Sequence, residues 1–260
     1  VERSRGLGDV YKRQLINISC LNEICNVLPY EDKDIYLIGG ATRSILSDKY
    51  ENKDIDLVIP DLDSLTVDKI LDKYDDAKYY PGYKSISLVF NDFEYQINSF
   101  RKDIAPSGRH SKVAKATSIK EDSLRRDFTF NSVYINLKGD VYDFYLGIEH
   151  YQNSYLKFIF DPIVQIQKDY LRAIRYMRFL SLFENTKTFP ADMEAITILS
   201  KNITDFVKEK KITQELNKIQ KMPFPENTIS FLKKNSELNH LIDFLNLSLI
   251  HISEPTRPLY

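Results

Sequence analysis

Asp54 and Asp56 stand one residue apart at the start of an apolar run in this chain of 260 residues. On a strand, positions i and i+2 point to the same side, so both carboxylates can hold one hard cation. Eleven residues before Asp54 stands Arg43, the last residue of Gly39-Gly40-Ala41-Thr42-Arg43. A glycine pair at a strand end lets backbone N–H groups approach a phosphate closely, because no Cβ intervenes. In this order the two features describe a site for a nucleoside triphosphate and Mg²⁺. Phosphoryl-transfer enzymes clamp the attacking and leaving oxygens between metal ions about 4 Å apart, which requires carboxylates on one rigid edge.

Two arginine-rich segments follow. In Arg125-Arg126-Asp127-Phe128-Thr129, with Asn131 close behind, Phe128 and Val133 set the segment against the core. One guanidinium can then face a pocket, where its fork suits phosphate or ribose oxygens. The other segment carries Asp169, Arg172, Arg175 and Arg178. On one helix, a spacing of three turns each residue by about −60° from the last, which makes a spiral rather than a face. Such charges opposite an apolar stripe are also what the wet side of a helix looks like.

The elements that must position these residues are legible from periodicity. Helical spacing over Leu15–Leu28 stops at Pro29, Ile35–Ile38 reads as a buried strand, and Ala41–Ser47 as a helix opening at the glycines. Asp56–Pro60 is the second strand, with the carboxylates at its start, and Leu65–Tyr74 a helix. Ser85–Phe90 and Phe93–Phe100 alternate about Asn91-Asp92, the pattern of a hairpin. Arg101–Thr117 is polar and basic, with Pro106-Ser107-Gly108 inside it, and reads as a mobile loop or lid. A short helix over Glu121–Asn131 leads to strands Ser132–Leu137 and Val141–Phe144. From Asp161 the pattern is helical, with Ile163, Ile166, Tyr170, Ile174, Met177 and Leu180 in one stripe, followed by helices over Ala191–Ser200, Thr213–Met222 and Thr228–Lys234. An α/β head therefore precedes an all-helical region, with the change near Phe160.

Composition narrows the classes. Apolar residues make up 43% of the chain, enough for a core, while the apolar runs are too short for a membrane span. Net charge is −1, so a nucleic-acid contact requires a local basic face rather than a global field. Two cysteines, Cys20 and Cys25, exclude a disulfide scaffold and fit a cytoplasmic protein. The termini look foreign. Ser4–Gln14 and Leu247–Arg257 resemble translated sequencing-adapter sequence on opposite strands, so residues 1–14 and 247–260 are set aside from the fold. Residues 15–246 are then expected to be an internal fragment: a head over 15–160 and a helical neck with part of a body over 161–246.

Gly39-Gly40-x-x-Arg43, Asp54-x-Asp56, Arg125-Arg126-Asp127-Phe128-Thr129 and Asp169-x-x-Arg172-x-x-Arg175-x-x-Arg178 occur in the order seen in the tRNA nucleotidyltransferase/poly(A) polymerase family. The chain resembles the class II, bacterial-type CCA-adding members, from about Ile35 to Phe183 and more thinly through Ile212–Leu216. The resemblance implies a polymerase-β-like nucleotidyltransferase head, with a mixed sheet and helices, before an all-α neck and body truncated at its C-terminal side. It implies Mg²⁺ on the catalytic Asp54 and Asp56. Nucleotide contacts are implied for Gly40 beside Gly39, for Arg43 and for Arg126, with Asp127 near the ribose. Asp169 and Arg172 would read the base; Arg175 and Arg178 would hold the triphosphate.

The implied activity is addition of CMP and AMP, from CTP and ATP, to the 3′ end of tRNA without a template. The base reading also follows from chemistry. A carboxylate accepts from the exocyclic amine of cytosine or adenine, and a guanidinium donates to the neighbouring ring nitrogen, whereas uracil and guanine present the reverse pattern. A poly(A) polymerase, a CC-only or A-only enzyme, and a non-catalytic RNA-binding relative are the alternatives. Ser44, Lys168 and Tyr170 depart from the family pattern, and Gln96 stands where a Glu is common, with Glu94 on the same strand face.

Overall fold

A computed structural model describes residues 21–47, 53–107 and 110–245, with side chains of 105–112 left aside. Both adapter-like ends, Cys20 and the start of the Leu15–Leu28 helix lie outside the described residues. The chain forms two compact units, one of residues up to 105 and 111–153, the other of 106–110 and 154 onward.

In the first unit, helix α1 (Leu21–Cys25) precedes strand β1 (Tyr36–Ile38), helix α2 (Gly39–Leu46), strand β2 (Asp54–Ile59) and helix α3 (Ser64–Lys73). Strands β3 (Lys78–Tyr80), β4 (Ser85–Phe90) and β5 (Phe93–Ser99) follow. Next come β6 (Arg101–Ser107), β7 (His110–Lys115), α4 (Ile119–Ser123), β8 (Val133–Asn136), β9 (Val141–Asp143) and α5 (Gly147–Gln152). Seven strands make one mixed sheet, in the order β3-β4-β5-β2-β1-β8-β9. Only β2 and β5 run parallel.

Alternation decides what each face does. Ile55, Leu57 and Ile59 of β2 join Leu37, Ile86, Leu88, Tyr95, Ile97 and Ile135 in the main core. Ile24 of α1, Ala41 and Ile45 of α2, and Val67 and Ile70 of α3 close that core from the helical side. The opposite face holds a smaller cluster of Tyr36, Ile38, Val58, Phe100, Ala116 and Tyr134. Cys25 lies in the main core, its thiol pushed up to about 12 by burial and then by the Asp32 carboxylate. Asn91 and Asp92 turn the β4–β5 hairpin at φ 48° and 65°, the left-handed pair of a tight primed turn.

The basic segment expected as a mobile loop is instead a two-stranded ribbon of β6 and β7. Polarity argued for a loop, but cross-strand pairing satisfies the backbone whatever the side chains are. Lys102 is engaged by Glu121 at 2.5 Å and Lys115 by Asp61 at 2.8 Å. The helix expected over Glu121–Asn131 also divides, into α4 and a 3₁₀ turn over Thr129–Ser132, with the arginine motif between them.

The second unit opens with β10 (Tyr155–Leu156), α6 (Pro162–Lys168) and α7 (Leu171–Phe179). It continues through β11 (Lys187–Thr188), α8 (Pro190–Leu199), α9 (Ile203–Phe206), α10 (Glu209–Asn217) and α11 (Pro225–Lys234). The single helix expected from Asp161 onward is two. Asp169 adopts an extended conformation (φ −154°, ψ 106°), and its carboxylate accepts the Leu171 N–H at 3.1 Å, starting α7. The apolar stripe crosses this break because Ile166, Tyr170, Ile174 and Met177 are all buried; Ile163, at its upstream end, is exposed. Among the described residues no helix is long and apolar enough to cross a membrane.

Two outcomes test this packing. A Cβ on Gly147 would lie 2.3 Å from the Thr129 carbonyl oxygen and 2.7 Å from Val133 Cγ2. Gly147→Ala should therefore cost about 1–3 kcal/mol, read as a lowered urea midpoint. Asp192, buried in the first turn of α8, accepts the Phe158 N–H at 3.1 Å and is pushed up to about 6 by burial, against that hydrogen bond and Lys157. Below about pH 4 both folded and unfolded chains hold this proton; between about pH 4 and 6 only the folded chain does, so this term makes stability fall as pH rises. Asp192→Asn should flatten the melting temperature against pH across that window.

Candidate functional site

The dicarboxylate is placed by the alternation of β2. With Ile55 fully buried in the core, Asp54 is exposed and Asp56 half-buried on the opposite face. Asp56 pairs with Ile38, the last residue of β1, across the antiparallel ladder. The chain then turns into α2 at Gly39, with φ +63°. A Cβ there would stand 3.0 Å from Asp56 Oδ2, so glycine serves both the backbone conformation and the approach of the carboxylate. The start of α2, at Gly39-Gly40, is thereby set beside the acidic edge. On the parallel neighbour β5, Glu94 lies opposite Asp54 and Gln96 opposite Asp56.

Arg43 follows one turn into α2. Its Nη1 donates to Asn131 Oδ1, and its guanidinium lies 5.9 Å from the Phe130 ring centre. Asn131 Nδ2 donates to Asp127 Oδ1 at 3.0 Å, and the same oxygen accepts the Phe128 N–H at 2.8 Å. Arg43, Asn131 and the buried Asp127 thus form one chain of contacts.

Arg126 is held differently. Its Nε donates to the Tyr134 hydroxyl at 2.7 Å, and its Nη2 to Asp122 Oδ2 at 2.8 Å. The Tyr134 hydroxyl donates to the same carboxylate oxygen at 2.7 Å, while Asp122 Oδ1 takes Arg125 Nε at 3.0 Å and the Arg101 N–H at 3.1 Å. Asp122 is fully buried. Burial opposes its ionisation, but Arg126 and Arg125 outweigh it and hold the carboxyl well below the usual range. The motif reading missed Asp122, although its spacing of three and four from the arginine pair was a signal. Tyr134 is joined only by the sheet and left none.

In the second unit, Arg172 is buried and its Nη1 donates to the Gln165 side-chain oxygen, while its backbone N–H donates to the Asp169 carbonyl at 3.0 Å. Arg175 and Arg178 are half-buried on α7. Arg178 Nε lies 3.2 Å from Glu215 Oε2, and Lys218 Nζ 2.6 Å from Glu215 Oε1. Burial works against the Glu215 charge; Arg178 and Lys218 overcome it and lower its pKa. The expected four-residue spiral is therefore three arginines on α7, with Asp169 at the break before it.

Residues 35–157 match the family model described as the poly A polymerase head domain. The CCA-adding enzyme of Bacillus pumilus is 32% identical over 201 residues, covering 76% of this chain and 48% of that protein. The mitochondrial CCA tRNA nucleotidyltransferase 1 of Danio rerio is 29% identical over 194 residues, 72% of this chain and 44% of that protein. The chain spans about half the length of the curated relatives it matches.

Among solved structures, the Bacillus stearothermophilus CCA-adding enzyme in complex with CTP matches with a TM-score of 0.69 at 21% identity, over 89% of this chain and 53% of that one. The Thermotoga maritima CCA-adding enzyme complexed with tRNA-CCA matches with a TM-score of 0.70 at 18% identity, over 89% and 54%. The α/β unit and the helical unit thus share the fold of these enzymes.

Asp122→Asn should leave Arg125 and Arg126 without their anion, costing about 3–5 kcal/mol in chemical denaturation. For the native protein, the Asp122 contribution should be complete above about pH 4 and decline as pH falls towards the depressed native value.

Proposed function

We propose that this chain holds the catalytic and base-reading parts of a template-independent tRNA nucleotidyltransferase, which adds CMP and AMP from CTP and ATP to the tRNA 3′ end. The observation that carries this reading is the Asp54–Asp56 edge set against the glycine turn at the start of α2. Phosphate oxygens would meet backbone N–H groups of Gly39 and Gly40 at a helix N-terminus. Among the described residues no cluster of three or more His, Cys, Asp or Glu side chains could hold a metal. Two carboxylates nevertheless fit Mg²⁺, which characteristically takes one or two protein carboxylates and completes its shell with substrate phosphates and water.

Bound there, Mg²⁺ would neutralise charge developing around the α-phosphate and favour the ionised 3′-hydroxyl. Asp54 and Asp56 would hold the cation. Arg43 and Arg126 present guanidinium charge towards phosphate and ribose, and Asp127 steadies Arg43 through Asn131. Asp169 accepts from the exocyclic amine of C or A while Arg172 donates to the adjacent ring nitrogen. Arg175 and Arg178 would hold the triphosphate, with Glu215 fixing Arg178. The tRNA 3′-hydroxyl attacks the α-phosphate and pyrophosphate leaves; positioning and charge neutralisation supply most of the rate.

The intact protein, given tRNA lacking its CCA end and each labelled nucleoside triphosphate with Mg²⁺, should incorporate C and A and reject U and G. No incorporation would sink the enzymatic reading, and long A tracts would mark a poly(A) polymerase. Asp54→Asn or Asp56→Asn should lower the rate roughly a thousandfold. Asp169→Ala should relax base choice more than it slows transfer.

A further inference from the structure

We propose that Gln165 is a positioning residue that sets the guanidinium of Arg172, and through it the choice of incoming base. The inference rests on the reading of Asp169 and Arg172 as the base-reading pair. Gln165, on α6, is completely buried, and Arg172, on α7, is 7% exposed. Arg172 Nη1 donates to the Gln165 side-chain oxygen and, at 3.5 Å, also faces the Gln165 backbone carbonyl. A guanidinium has donors and no acceptor, so the amide oxygen must be the end that faces it. The amide nitrogen is consequently turned elsewhere, and it has no hydrogen-bond partner among the described residues.

That arrangement is informative. Burying an amide whose nitrogen is left unmatched is unfavourable, and an apolar side chain of similar length would avoid the cost. What glutamine supplies here is the oxygen. Arg172 is thus fixed at both ends: its backbone N–H is held by the Asp169 carbonyl at 3.0 Å, and its Nη1 by Gln165 across the helix break. A planar fork anchored at one Nη keeps its plane, which fixes the orientation in which the guanidinium meets a base. Freed from Gln165, the same arginine would sample rotamers that tolerate the carbonyl of uracil beside a shifted donor. The charge would survive and the discrimination would not.

The test compares Gln165→Met, which keeps length and removes the acceptor, with Gln165→Glu, which keeps the acceptor. Both are made in the intact protein, with kcat and KM measured for CTP, ATP, UTP and GTP on tRNA lacking its end. The Met variant should lower the kcat/KM ratio of CTP over UTP roughly tenfold or more, mainly through a higher KM for CTP, while the Glu variant stays within about threefold of the parent. Gln165→Asn, an amide one methylene shorter, gives a second reading if the Met variant does not fold; it should also lose selectivity. A folded Met or Asn variant with the parental CTP/UTP ratio overturns the inference, as does equal loss of selectivity in the Met and Glu variants. A purely structural role would slow all four nucleotides alike and leave the ratio unchanged. If the unmutated protein transfers nucleotides without preferring C and A, the base-reading assignment itself falls, and this inference with it. If it is selective and the variants are too, only the role of Gln165 falls.

Discussion

The alternation of β2 is the constraint on which the rest depends. Ile55, Leu57 and Ile59 lie in the main core, so Asp54 and Asp56 have no choice but the opposite face. A slip of one residue would turn both carboxylates into the main core and Ile55, Leu57 and Ile59 out of it, a change no fold of this size could absorb. The β1–β2 register then brings Ile38 opposite Asp56, and the next residue must turn immediately. Only a residue without Cβ can do so at φ +63° with a carboxylate oxygen 3.0 Å away. Acidic edge and helix start are in this way parts of one packing decision.

Each unit also buries an acid that organises arginines. Asp122 gathers Arg125, Arg126 and Tyr134, while Glu215 gathers Arg178 and Lys218. In both cases burial alone would favour the neutral acid, and the adjacent cations reverse that preference. The arginines keep their charge but lose rotameric freedom, as the proposed meeting with an anionic ligand in fixed geometry requires. Asp127 and Asn131 do the same for Arg43 through neutral amide contacts.

The break at Asp169 and Tyr170 has a comparable effect in the helical unit. An uninterrupted helix would have left the Asp169 carboxylate on a regular helical surface. The extended residue instead turns that carboxylate onto the N-terminus of α7, with Leu171 N–H as donor. Tyr170 stacks on Phe206 with ring centres 4.6 Å apart, which pins the interruption.

Much of the fold was legible in the order of residues: the strands around the glycine turn and the dicarboxylate, the Asn91-Asp92 hairpin, and the change to helices. Short-range alternation and turn chemistry suffice for those features, because each is enforced within a few residues of chain. Polarity misled over 101–117, where a ribbon forms, since backbone pairing does not depend on side-chain polarity. Periodicity also ran through Asp169 undisturbed, because two helices with a common buried side give the same stripe as one. The sequence by itself determined which groups are the candidates for chemistry and that Asp54 and Asp56 share a face. Only the tertiary structure decided how they are held: Tyr134 on Arg126, Asn131 between Arg43 and Asp127, Gln165 on Arg172, Glu215 on Arg178. Most of these partners come from another element, and register and packing, which no local pattern encodes, select which side chain arrives.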